Sequence, residues 1–78
     1  MNSQQVKELL ESSIENSIVN AEGEGCNFQV NVVSPVFAGK RSVQRQQLIY
    51  AVLHDRIASG EIHAVTMTTQ TPEEAAGN

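Results

Sequence analysis

The chain has no tryptophan, only three other aromatic residues (Phe28, Phe37 and Tyr50), two prolines and a single cysteine, Cys26, in 78 residues. One thiol cannot close a disulfide within the chain, so no covalent staple is available and a reducing compartment, the cytoplasm, is the expected home. No apolar run approaches the ~20 residues that a membrane-spanning helix needs. The start, Met1 to Gln5, has neither a basic nor an apolar segment, so no secretory signal is expected. Basic residues are also scarce, five against nine acidic, for a net charge of −4. That balance argues against a nucleic-acid binder working through bulk electrostatics. Missing too are a Walker loop, a Cys-x-x-Cys pair, a Ser/His/Asp set and a paired-carboxylate site, so nothing points to an enzyme.

What is present reads as one domain over residues 1–78 with a modest core. Ser3 is a candidate cap for a helix from Gln4 to Glu15, with Val6, Leu9, Leu10 and Ile14 as its apolar stripe. The β-branched run Ser17 to Ala21 predicts a strand, and Glu22-Gly23-Glu24-Gly25 predicts the turn after it. From Asn27 to Val33 the pattern alternates: Phe28, Val30 and Val32 share a face, and Gln29 and Asn31 take the other. Ser34-Pro35 ends this second strand of a hairpin. Ser42 is a candidate cap for a helix whose core face is Ile49, Val52, Leu53 and Ile57. The pattern leaves open whether His54-Asp55 splits that helix. Ile62 to Met67 predicts a third strand, and Thr71-Pro72-Glu73-Glu74 starts a last helical turn. Phe37 and Tyr50 are expected in the core. A hairpin, a right-handed helical crossover and a third strand give a mixed three-stranded sheet with the helices on one face, an α+β fold of order α-β-β-α(α)-β-α.

Three residues or clusters could carry chemistry. His63 shares a face with Val65 and Met67 by alternation; taken alone, it reads as a structural or edge histidine. Cys26 sits in the hairpin loop as an accessible thiol, and Glu22 and Glu24 beside it make it a poor activated nucleophile. Lys40, Arg41 and Arg45 place three of the five basic residues within six positions. They form either a solvated helix start or an anion-binding spot. His54 beside Asp55 reads as a solvated helical residue.

The elements Phe37-Ala38-Gly39, Arg45-Gln46-Gln47-Leu48-Ile49-Tyr50, Ile62-His63-Ala64-Val65 and Thr71-Pro72-Glu73-Glu74 occur in an order that resembles the BolA family, over Gly23 to Glu74. The resemblance implies a class II KH-like fold. It also implies a non-enzymatic adaptor that binds a monothiol glutaredoxin and shares a [2Fe–2S] cluster, in iron homeostasis or stress response. In BolA-like proteins the histidine at the His63 position is a cluster ligand, and the hairpin loop commonly supplies a second. Cys26 is then the second candidate, although it stands one residue before Asn27, where many members have histidine. Two donors fall short of the four that a closed site needs. The glutaredoxin cysteine and its glutathione would complete the shell. A second departure is Ala75, where many members have tryptophan.

The alternative that the resemblance offers is a DNA-binding transcriptional regulator using Lys40, Arg41 and Arg45. The Gly-x-x-Gly clamp of RNA-binding KH domains is not complete, because Gly39-Lys40-Arg41-Ser42 keeps only the first glycine. Any DNA binding is expected to be weak, no membrane partner is expected, and the chain is expected to be a monomer or weak homodimer.

Overall fold

A computed structural model of the protein describes residues 1–77. Its elements run α1 (Ser3–Ser13), β1 (Ile18–Glu24), β2 (Asn27–Val33), a 3-10 turn (Pro35–Phe37), α2 (Ser42–Ala58), β3 (Ala64–Gln70) and α3 (Pro72–Ala75). The sheet order is β1-β2-β3, with β1 antiparallel and β3 parallel to the central β2. This is the expected mixed sheet and α+β class.

Alternation decides which way each strand faces. Phe28, Val30 and Val32 of β2 are buried and pair across the ladder with Gly23, Ala21 and Val19 of β1. On the other side they pair with Val65, Met67 and Thr69 of β3. That face meets Val6 and Leu10 of α1, Ile14 just past the end of α1, and Ile49 and Leu53 of α2, with Phe37 and Ile62 closing the core. Leu53 is fully buried, so truncating it to alanine would cost about 2–5 kcal/mol through lost transfer energy and the cavity left behind. Among the described residues no helix covers the opposite sheet face, which is exposed at Asn20, Glu22, Gln29, Thr66 and Thr68.

Several boundaries differ from the sequence reading. Helix α1 begins one residue early because Asn2, not Ser3, is its cap: Asn2 Oδ1 accepts the Gln5 N–H at 2.8 Å, and Gln5 Oε1 accepts the Asn2 N–H at 2.9 Å. This reciprocal pair satisfies two otherwise free donors. At α2 the cap position is Arg41, whose N–H is taken by Gln44 Oε1 at 2.9 Å, and Ser42 is the first helical residue. Helix α2 runs unbroken through His54 and Asp55. Tyr50 is 44% exposed and so not a core residue. It lies one position past buried Ile49, about 100° further around the helix, which turns it to solvent.

The turn expected at Glu22 to Gly25 also shifts. Strand β1 continues through Glu24, which pairs with Asn27, so the hairpin loop is only Gly25-Cys26. Gly25 has φ +63° at the first loop position, as the tight type II′ hairpin turn requires of that residue. Strand β3 begins at Ala64 instead of Ile62 and extends to Gln70. His63 is therefore the last residue before the strand.

Candidate functional site

Two ends of the sheet carry the candidate residues. At the first, the Gly25-Cys26 loop meets the start of β3. The Cys26 carbonyl accepts two backbone hydrogen bonds, from the His63 N–H at 2.7 Å and the Ala64 N–H at 3.3 Å. Upstream, Ile62 is 1% exposed and its N–H bonds to the Arg56 carbonyl at 3.1 Å. Arg56 Nη1 reaches Glu61 at 3.2 Å, and Ser59 Oγ donates to the same carboxylate at 3.2 Å. These contacts hold the Glu61 carboxyl below its ordinary range, through the Arg56 hydrogen bond first. The path into β3 is thereby fixed: Ile62 goes into the core and His63 is exposed, not on the Val65–Met67 face as alternation predicts, because both residues precede the strand and the period of two starts only at Ala64. Cys26 is a free, exposed thiol.

Beside this loop, on the uncovered sheet face, lies an open cleft of about 370 Å³. Glu22, Asn27, Gln29, Ala64 and Thr66 line it, with no basic residue among them. Alternation places Gln29 on this face, and Thr66 falls within the expected third strand, but the expected β1 ends at Ala21 and so leaves out Glu22, which the longer β1 brings beside Gln29. Among the described residues no set of three or more His, Cys, Asp or Glu side chains could hold a metal ion. His63 and Cys26 offer an imidazole and a thiol, both competent iron–sulfur ligands. Two donors fall short of the four that a closed cluster site needs.

The second end holds the basic cluster. Parallel pairing and the α2 crossover place the start of α2 beside the end of β3, roughly 20 Å along the strands from His63 at ~3.3 Å per residue. The three basic residues are not equivalent there. Lys40 and Arg41 are exposed. Arg45 holds Glu74 through both oxygens at 2.7 and 3.3 Å, donates to the Lys40 carbonyl at 2.9 Å and the Thr69 carbonyl at 3.4 Å, and lies over the Phe37 ring at 5.8 Å. Its side chain is only 12% exposed. Arg45 therefore ties α3 to β3 and to the loop before α2. The guanidinium beside Glu74, with the Thr71 N–H, holds that carboxyl below its ordinary range. Gln44 is engaged at the helix start, where its Oε1 accepts the Arg41 N–H.

The family model for the BolA-like protein matches residues 2–74. The chain belongs to the BolA family. It is 45% identical over 74 residues to an uncharacterised protein of the rpoN-murA intergenic region in Acinetobacter guillouiae, covering 95% of this chain and 89% of the relative. It is 34% identical over 74 residues to the acid stress protein IbaG of Escherichia coli (strain K12), covering 95% and 88%. Among solved structures, the BolA homologue of Coxiella burnetii superposes with a TM-score of 0.88 at 32% identity, covering 97% of each chain. The BolA fold thus accounts for the whole described architecture. No helix of the described residues is long and apolar enough to cross a membrane.

Proposed function

We propose that this BolA-family protein is a non-enzymatic cytoplasmic adaptor that binds a monothiol glutaredoxin and shares a [2Fe–2S] cluster with it. His63 is the first ligand of this chain and Cys26 the second. The observation that carries this reading is the 2.7 Å hydrogen bond from the His63 N–H to the Cys26 carbonyl, which holds the backbones of both candidate ligands together at one exposed sheet end. When bound, the cluster supplies a redox-active, transferable iron–sulfur unit. The two donors of this chain leave the remaining positions to the glutaredoxin cysteine and glutathione. A stress-response role fits the name of the IbaG relative.

The test is co-expression with a monothiol glutaredoxin, followed by a visible absorption spectrum of the purified complex. The isolated chain should be colourless. The complex should show a cluster spectrum that differs from that of the glutaredoxin alone, and His63→Ala should remove the difference while circular dichroism stays unchanged. An unaltered spectrum in His63→Ala would refute the ligand assignment.

The DNA-binding reading is the weaker one. It loses Arg45 to the Glu74 and Phe37 contacts, and two exposed cations on a chain of net charge −4 make a small electrostatic footprint.

A further inference from the structure

We propose that two copies of this chain pair through the outer edge of β3, antiparallel and centred on Thr66, to form a weak, continuous six-stranded sheet. The argument starts from which backbone groups are free. The Ala64 N–H bonds inward to the Cys26 carbonyl, and the Gln70 carbonyl inward to the Ser34 N–H. Alternation along the strand then points the backbone N–H and C=O groups of Val65, Met67 and Thr69 to the free edge, while the Val65 and Met67 side chains pack against the core. The Thr69 carbonyl is taken by Arg45. Among the described residues, no hydrogen bond reaches the outward N–H or C=O of Val65 or Met67. Four strong polar groups therefore stand free in a three-residue window.

The two edges of the sheet are protected very differently. On β1 the Val19 N–H is capped by Glu11 Oε2 at 3.0 Å, and Glu22 and Glu24 add charge to the strand. Edge charges of this kind deter strand addition. Strand β3, Ala-Val-Thr-Met-Thr-Thr-Gln, has no charge, no proline and no bulge. No ionisable acid or base stands between His63 and Glu73. Two copies of net charge −4 repel each other over most of their surface, and this edge is where they can meet without opposing like charges.

Register follows from the free groups. Centring on Thr66 sets Val65 of one copy against Met67 of the other, and all four outward groups of each copy are bonded. Centring on Met67 would instead oppose Val65 to Thr69, whose carbonyl Arg45 already occupies. Thr66 then faces Thr66 of the second copy as a close non-hydrogen-bonded pair, a favourable cross-strand match. His63 falls opposite Thr69, so the two His63 residues stand six positions apart, about 20 Å. Self-pairing thus cannot gather both histidines at one cluster, and it is independent of the glutaredoxin reading. The window is far smaller than the ~800 Å² per partner of a standard interface, so the dissociation constant should be on the order of 0.1–1 mM.

The test is sedimentation equilibrium of the whole chain up to about 2 mM, with hydrogen exchange of individual amides at low and high concentration. Wild type should show a monomer–dimer equilibrium, with the Val65 and Met67 amides slowing as concentration rises. Thr66 is exposed on the uncovered face, so Thr66→Glu and Thr66→Lys should both fold. Each alone should dimerise roughly tenfold more weakly, and an equimolar mixture of the two should recover association. A strictly monomeric wild type at 2 mM would overturn the proposal, as would undiminished dimerisation of Thr66→Glu or unchanged Val65 and Met67 exchange.

Discussion

Gly23 is where one added methyl group should do the most damage for its size. It lies inside β1 at φ +146°, opposite Phe28, and a Cβ there would collide with the Asn27 carbonyl oxygen, a backbone atom, and come within 2.9 Å of Phe28 Cα. Neither obstacle is a flexible side-chain end, so the hairpin itself must shift. Backbone strain of this kind costs about 1–3 kcal/mol, and displacing the ladder beside buried Phe28 adds to it, so Gly23→Ala should lose about 3 kcal/mol. For a domain of this size that is a fall in Tm of roughly 12–24 °C. Gly25→Ala is the control. Its φ is also positive, at +63°, but nothing lies within 4 Å of the added atom, so only the left-handed backbone cost of about 1–2 kcal/mol remains. Urea and thermal melts of both variants measure the difference. If Gly23→Ala were no less stable than Gly25→Ala, the close cross-strand approach would not be what demands glycine here.

Cys26→Ser should weaken or reshape the shared-cluster spectrum less than His63→Ala does, and an unchanged spectrum would reduce Cys26 to a surface thiol. Fluorescence anisotropy with random and promoter-like duplexes should show weak binding without sequence preference, with a log–log salt slope of about −2 from Lys40 and Arg41; tight, selective binding lost in Lys40→Ala/Arg41→Ala would favour the DNA reading. Glu11, Glu61 and Glu74 all titrate below the ordinary glutamate value of 4.5 in the folded protein. Each therefore stabilises the fold above that value, and the contribution is lost as pH falls through the lowered folded value. Thermal melts between pH 6 and pH 3 should show this loss, and Glu74→Gln should be less stable near neutrality with a shallower decline in acid. An equally steep acid decline in Glu74→Gln would show that the Arg45 pair does not contribute to it.

Strand periodicity carried most of the fold, because a period of two fixes a whole face at once. The alternation of Phe28, Val30 and Val32 places β2 correctly, and once β2 is central the crossover rule leaves few arrangements for β3. The errors fall where local chemistry competes with pattern. Glu22-Gly23-Glu24-Gly25 reads as turn material by composition, yet β1 runs on through Glu24 because the ladder to β2 persists to Asn27. Tyr50 reads as core because it is aromatic, but its angle on α2 turns it to solvent. His63 and Cys26 are distant in sequence, and spacing alone gives no reason for them to meet. The family resemblance suggested it, and the Cys26 carbonyl supplies the physical link by accepting the backbone of the segment that leads into β3.

The basic cluster shows the opposite limit. Three cations within six residues look alike in sequence, but only a helix start placed against the end of β3 can bring Arg45 to Phe37, Thr69 and Glu74 together. That partnership depends on the crossover, which no local pattern encodes. A guanidinium that is 12% exposed and bonded to a carboxylate and two carbonyls serves the fold first, because freeing it for phosphate would break the Glu74 pair and release the Thr69 carbonyl at the end of β3. The same interaction that weakens the DNA reading also closes the outer edge of β3 at Thr69. It thereby limits the free window to Val65 and Met67, next to the end of the sheet that carries His63.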